Sequence, residues 1–181
     1  ELLGDIFMRD EFELPQYISD CITNWQAHPM DPVLVKSGPV MDVSERSVNL
    51  MKLPIPTHAL GDAGPYFDAA VVIAKDPETG VRNASIQRFL VVNKNTLAVN
   101  IDAGRHLELY LNKAASLGKK LPITINVGVG PGLHFAAATP SEAAPAHLDE
   151  LGIASEIHGA PLELVAGTRS DVEMVANAMW A

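Results

Sequence analysis

The chain has 181 residues, of which 48% are hydrophobic and 19% charged; that is enough apolar material for one packed core, in one domain or a piece of a larger protein. Thirteen Lys and Arg against twenty-two Asp and Glu leave a net charge of -9, which repels polyanions and makes nucleic acid and acidic membrane surfaces poor partners. The lone cysteine, Cys21, excludes an internal disulfide and fits a reducing cytoplasm, and apolar runs such as Ala69–Ala74 are too short to span a bilayer.

Asp5, Arg9, Asp10 and Glu11 interrupt any signal-peptide core, and a chain running from Glu1 to Trp180-Ala181 reads as a fragment or a processed chain. Residues 1–31 place Tyr17, Cys21 and Trp25 at helical spacing and stop at His28-Pro29-Met30-Asp31-Pro32, an N-terminal helical or linker segment. Val33–Lys36 reads as a strand, and Leu50–Pro56, punctuated by Pro54 and Pro56, as an extended edge or loop. Ala69–Lys75, Val81–Val92 and Thr96–Asp102 are three strands joined by Asp76-Pro77-Glu78-Thr79-Gly80 and Asn93-Lys94-Asn95, an antiparallel meander. A helix over about 103–117 carries Leu107, Tyr110, Leu111, Ala114 and Leu117 on one face and stops at Gly118. Ile123–Val129 is a buried strand, Gly130-Pro131-Gly132 opens a short Ala-rich helix, a further helix covers about 146–158, and Leu162–Val165 is the last strand. The class is α+β with an antiparallel sheet or barrel as its core.

Alternation along Val81–Val92 puts Asn83, Ser85 and Gln87 on one face and Ala84, Ile86, Arg88, Leu90 and Val92 on the other. Arg88 thus falls in an apolar row, where a guanidinium needs an anion to offset its desolvation. A salt bridge to a nearby Asp or Glu is one reading, and a clamp for a carboxylate or phosphate is the other. His106 opens the amphipathic helix after Gly104-Arg105, and Glu150 sits in Asp149-Glu150 near a helix start. An amide oxygen, an imidazole and a carboxylate together suit Mn²⁺ or Mg²⁺, not a zinc finger, for which the cysteines are missing. Gly128-Val129-Gly130-Pro131-Gly132 has its third glycine misplaced for a dinucleotide fingerprint, and Pro131 removes a donor, so a tight turn explains it better. His58, His134, His147 and His158 show no zinc-protease spacing, and Ser141 has no nucleophile-elbow setting.

The block Asp76-Pro77-Glu78-Thr79-Gly80-Val81-Arg82-Asn83-Ala84-Ser85-Ile86-Gln87-Arg88 resembles the cofactor-binding stretch of the UbiD-type decarboxylases, whose motif runs asparagine, x, serine, x, x, arginine. Leu53–Pro56 with Asp62–Tyr66, Ala136–Pro140 and Gly159–Val165 extend the resemblance to roughly residues 32–175. It implies a split β-barrel (flavin-reductase-like) flanked by helices, over residues 32–181 and truncated on the C-terminal side. It also implies prenylated FMN, made by a partner prenyltransferase, UbiX, held through its phosphate by Mn²⁺ or Mg²⁺ with a potassium ion nearby. By the same resemblance Asn83, His106 and Glu150 match the metal ligands, with Asp149 the alternative acid. Ser85, Ile86, Gln87, Arg88 and Arg105 match positions lining the cofactor, and Arg88 also matches the arginine that faces the substrate carboxylate within a Glu-Arg-Glu network. The implied activity is reversible decarboxylation of an aromatic or α,β-unsaturated acid through a covalent cofactor adduct.

The two network carboxylates have no match before Ala181, so the resemblance implies a cofactor-domain fragment or part of a split enzyme, inactive alone, acting as a homo-oligomer or with other subunits. A non-catalytic flavin- or nucleotide-binding module, or a stabilising subunit, is the rival reading.

Overall fold

The computed structural model of the chain describes residues 2–181. Two helices, α1 (Leu2–Phe7) and α2 (Leu14–Ala27), lead into β1 (Val33–Leu34), and two short 3-10 turns at Pro39–Met41 and Leu50–Lys52 precede β2 (Tyr66–Lys75), β3 (Arg82–Asn93) and β4 (Thr96–Val99). α3 (His106–Ser116), β5 (Ile123–Asn126), α4 (Pro131–Ala138), α5 (Leu151–His158), β6 (Glu163–Val165) and β7 (Met174–Val175) follow.

β4, β3, β2 and β5 form, in that order, an antiparallel sheet. It curls into a half-barrel with helices against it, so the α+β class and the meander stand as expected. A second, small sheet pairs β1 with β6 in parallel and β6 with β7 antiparallel.

Ala70–Ala74 in β2 are fully buried because helices cover both faces of the sheet. Val71 and Ile73, with Ala84 of β3, pack among Trp25 of α2, Leu133 of α4 and Ile153 of α5. Ala70, Val72 and Ala74, with Phe89 of β3, lie under Leu107 and Tyr110 of α3. Each large aliphatic side chain so buried is worth about 1.5–3 kcal/mol.

Several elements are shorter than their patterns predict. β4 stops at Val99, opposite Phe89, because the chain then turns at Gly104, with φ of +80°, to enter α3. The first half of β3 therefore has no β4 partner on that edge. On α3 the buried stripe is Leu107, Tyr110 and Ala114, whereas Leu111 and Leu117 are exposed; they fall outside the arc that meets the sheet. α5 begins at Leu151, not near 146, since the side chain of Asp149 accepts the Leu151 N–H at 3.0 Å and sets the first turn. Gly128 and Gly132 make the close turn expected of small residues: a Cβ would meet Met179 Cβ at 2.6 Å at Gly128, and the His158 ring at 2.9 Å at Gly132.

Candidate functional site

The open edge of β3 is closed by a carboxylate. Glu150, at the entry to α5, accepts the Ala84 N–H at 3.0 Å and the Asn83 side-chain amide at 2.6 Å, both through Oε2. Its other oxygen lies 2.9 Å from Nδ1 of His106, the first residue of α3. Three elements far apart in sequence thus deliver an amide, a carboxylate and an imidazole to one place. The hydrogen bond to Glu150 raises the His106 pKa above its ordinary value, against the opposing effect of burial.

Asn83 and Glu150 are both buried, yet Oδ1 of Asn83 has no hydrogen-bond partner. A buried amide oxygen left unpaired costs about 1–3 kcal/mol. Its presence beside a carboxylate and an imidazole is the pattern of a donor set for a hard or borderline cation. Among the described residues no group of three or more His, Cys, Asp or Glu side chains is placed to hold a metal ion; the set here is a mixed one, an amide oxygen with one carboxylate and one imidazole.

The triad stands at the wall of a cleft of about 220 Å³. Asn83, Ser85, Ile86, Gln87, Arg105, His106 and Glu150, all expected as site residues, line it. Asp102, Thr139 and Ser141 line it as well. Thr139 lay within a stretch that carried the family resemblance, but no pattern in the chain marks a loop hydroxyl as a cleft residue. The Gly128–Gly132 turn does not line the cleft.

Asp149 takes no part in it. Its Oδ2 receives Nε and Nη2 of Arg82, both at 2.6 Å. Burial pushes the Asp149 carboxyl above the usual carboxylate range, against the opposing pull of Arg82. Between the two acids, geometry brings Glu150 to Asn83 and His106 and turns Asp149 to Arg82.

Arg88 departs from expectation. Its row is not apolar interior: Ile86 is 38% and Val92 54% exposed, and the Arg88 side chain is 59% exposed. A bulge in β2 sets Asp68 and Ala69 opposite it. The guanidinium pairs with Asp68 at 2.8 Å and lies 4.8 Å from the centre of the Tyr66 ring, while His58 holds the other Asp68 oxygen at 2.9 Å. Strand alternation puts Arg88 on the face of Ala84, but that face is buried only at Ala84 and is open to solvent at Ile86 and Arg88.

No helix among the described residues is long and apolar enough to cross a membrane. The sequence profile of UbiD, described as 3-octaprenyl-4-hydroxybenzoate carboxy-lyase Rift-related domain, matches residues 33–180. An uncharacterized protein in the cooM 5'region of Rhodospirillum rubrum is 67% identical over all of this chain, which covers 39% of that protein. The anhydromevalonate phosphate decarboxylase of Methanothermobacter thermautotrophicus is 43% identical over 70% of this chain and 29% of its own length. Among solved structures, an evolved dimeric form of the UbiD-class enzyme HmfF from Pelotomaculum thermopropionicum, in complex with prFMN, superposes with a TM-score of 0.87 at 37% identity, over 98% of this chain and 41% of that one. The chain therefore spans between 29% and 41% of the length of these relatives, and over that span it belongs to the UbiD family of carboxy-lyases.

Proposed function

We propose that this chain is the cofactor-holding portion of a UbiD-type decarboxylase, acting reversibly on an aromatic or α,β-unsaturated carboxylic acid with prenylated FMN. The observation that carries this reading is the buried, unpartnered Oδ1 of Asn83, set beside Glu150 and His106 at the wall of the cleft. In it, Asn83, Glu150 and His106 hold Mn²⁺ or Mg²⁺, which neutralises the cofactor phosphate. Ser85, Ile86, Gln87 and Arg105 line the cleft beside the metal and position the flavin. When bound, prenylated FMN supplies the electron sink for decarboxylation.

Arg88 is the residue assigned to the substrate carboxylate. Its guanidinium is solvent-accessible and pairs with one carboxylate, Asp68, the kind of group that arginine's two-pronged donor geometry suits. The carboxylates of the Glu-Arg-Glu network, a nearby potassium ion, a UbiX-type prenyltransferase as cofactor supplier, assembly into an oligomer and a cytoplasmic location complete the reading. A flavin-holding module without turnover of its own is the second reading, favoured by the position of Arg88 outside the cleft.

Co-expression with a UbiX-type prenyltransferase tests the proposal. A flavin with the mass of prenylated FMN should co-purify with stoichiometric Mn²⁺, and both should fall with Asn83→Ala or Glu150→Ala. The isolated chain should release no CO₂ from cinnamate- or benzoate-type acids. Flavin retention unchanged in both variants would overturn the reading.

A further inference from the structure

The segments that carry Asn83 and Glu150 are joined a second time, one residue earlier in each. Arg82 precedes Asn83 on β3 and Asp149 precedes Glu150 at the entry to α5; the two pairs share the same sequence separation of 67. We propose that the Arg82–Asp149 ion pair is a positioning clamp that keeps Asn83 and Glu150 at the separation a shared metal ion requires. The inference rests on the metal-linked reading above.

The bonds between Glu150 and β3 cannot do this by themselves. They use the Asn83 amide and the Glu150 carboxylate, the groups that a bound ion recruits, so they are not constant across the metal-free and metal-bound states. The Arg82–Asp149 pair uses neither. Successive residues of a strand point to opposite faces, and neither Arg82 nor Asp149 lines the cleft. The clamp therefore acts from behind the ligands.

Both members are themselves held. Asp149 Oδ1 accepts the Leu151 N–H at 3.0 Å, and its main-chain carbonyl accepts the Trp25 indole N–H at 3.0 Å. Arg82 is drawn to a second acid, with Nη1 at 3.7 Å from Glu173, which Lys75 ties to β2 at 2.7 Å. The side chains of Arg82 and Asp149 are 20% and 18% exposed, so the pair is shielded from the screening that makes surface ion pairs weak. Partners just outside a ligand set commonly alter metal affinity by about 10–100-fold when removed.

The test is a titration of the 181-residue chain with Mn²⁺ in the presence of FMN, with free Mn²⁺ read from its electron paramagnetic resonance signal. It is run at a temperature where circular dichroism shows each variant folded. Arg82→Ala and Asp149→Ala should each weaken Mn²⁺ binding by about 10–100-fold, with the double variant no weaker than the poorer single one. Arg82→Lys, which keeps the charge, should recover part of the loss, and Arg82→Gln serves if Arg82→Ala does not fold. A contribution to stability alone would lower the unfolding temperature and leave the affinity of the folded chain unchanged.

Asn83→Ala and Glu150→Gln separate the two claims. If these weaken Mn²⁺ binding while the Arg82 and Asp149 variants bind as wild type, the clamp is wrong and the site stands. If none of the variants changes Mn²⁺ binding, or the wild-type chain binds none, the metal reading falls and the clamp with it.

Discussion

The indole N–H of Trp25 donates to the main-chain carbonyl of Asp149 at 3.0 Å, across 124 residues of sequence. Trp25 is fully buried, and its ring leaves no room for a side chain at Gly152, where a Cβ would stand 2.6 Å from Nε1 and 2.7 Å from Cδ1. α2 is thereby seated against the loop that presents Glu150.

Gly152→Ala should accordingly overpack this contact and cost about 1–3 kcal/mol, a fall in Tm of roughly 2–12 °C for a chain of this size. Thermal unfolding followed by circular dichroism checks it. A Tm equal to that of the wild type would mean that Trp25 does not pack on α5 as described.

Divalent metal should stabilise the fold. Mn²⁺ at about a hundred times its dissociation constant adds about 2.7 kcal/mol if it binds only the folded chain. Differential scanning calorimetry should show a rise in Tm with Mn²⁺ that EDTA reverses and that Glu150→Gln abolishes. An equal rise in Glu150→Gln would place the ion elsewhere.

Asp76 contributes to the acid limb of stability. Its carboxylate accepts the N–H groups of Glu78 at 2.8 Å and Thr79 at 3.3 Å and the Lys113 ammonium at 2.6 Å, tying the β2–β3 turn to α3. Burial alone would raise its pKa, but Lys113 and the two N–H donors outweigh it, and the net shift is downward. A carboxyl whose folded pKa is depressed adds stability that is present above its unfolded pKa of about 3.9 and disappears as pH falls through the lower folded value. Asp76→Asn should therefore lower stability at neutral pH and flatten its decline below about pH 4. Urea unfolding from pH 2 to 7 measures both; a parallel pH profile in the variant would contradict the assignment.

Arg88→Ala should leave thermal unfolding unchanged. The Arg88–Asp68 pair is open to solvent, where water screens the attraction and holding a long side chain in one geometry opposes it. A clear drop in Tm would show that the His58–Asp68–Arg88 group carries structural weight that its exposure does not suggest.

Local pattern was enough for the meander. The turn residues at Asp76–Gly80 and Asn93–Asn95 and the apolar strands between them depend only on neighbours in sequence, and the sheet follows them. Asn83, His106 and Glu150 were legible as candidate ligands because the Asn-x-Ser-x-x-Arg block and its flanking stretches carry a family resemblance. Nothing local pairs residues 67 or 44 positions apart.

Tertiary structure decided what alternation cannot see, namely which stretch of each face of β3 is covered. Packing of α4 and α5 near Ala84, and of α3 over Phe89, buries those two residues, while Arg88, on the same strand, is left to solvent and Asp68. The surroundings of Glu150 and Asp149 were separated in the same way. Two adjacent acids are equivalent in a sequence, but once α5 starts at Leu151 one faces the open edge of β3 and the other faces Arg82. Side-chain periodicity is a property of the backbone, whereas burial and charge pairing depend on what the rest of the chain brings alongside it.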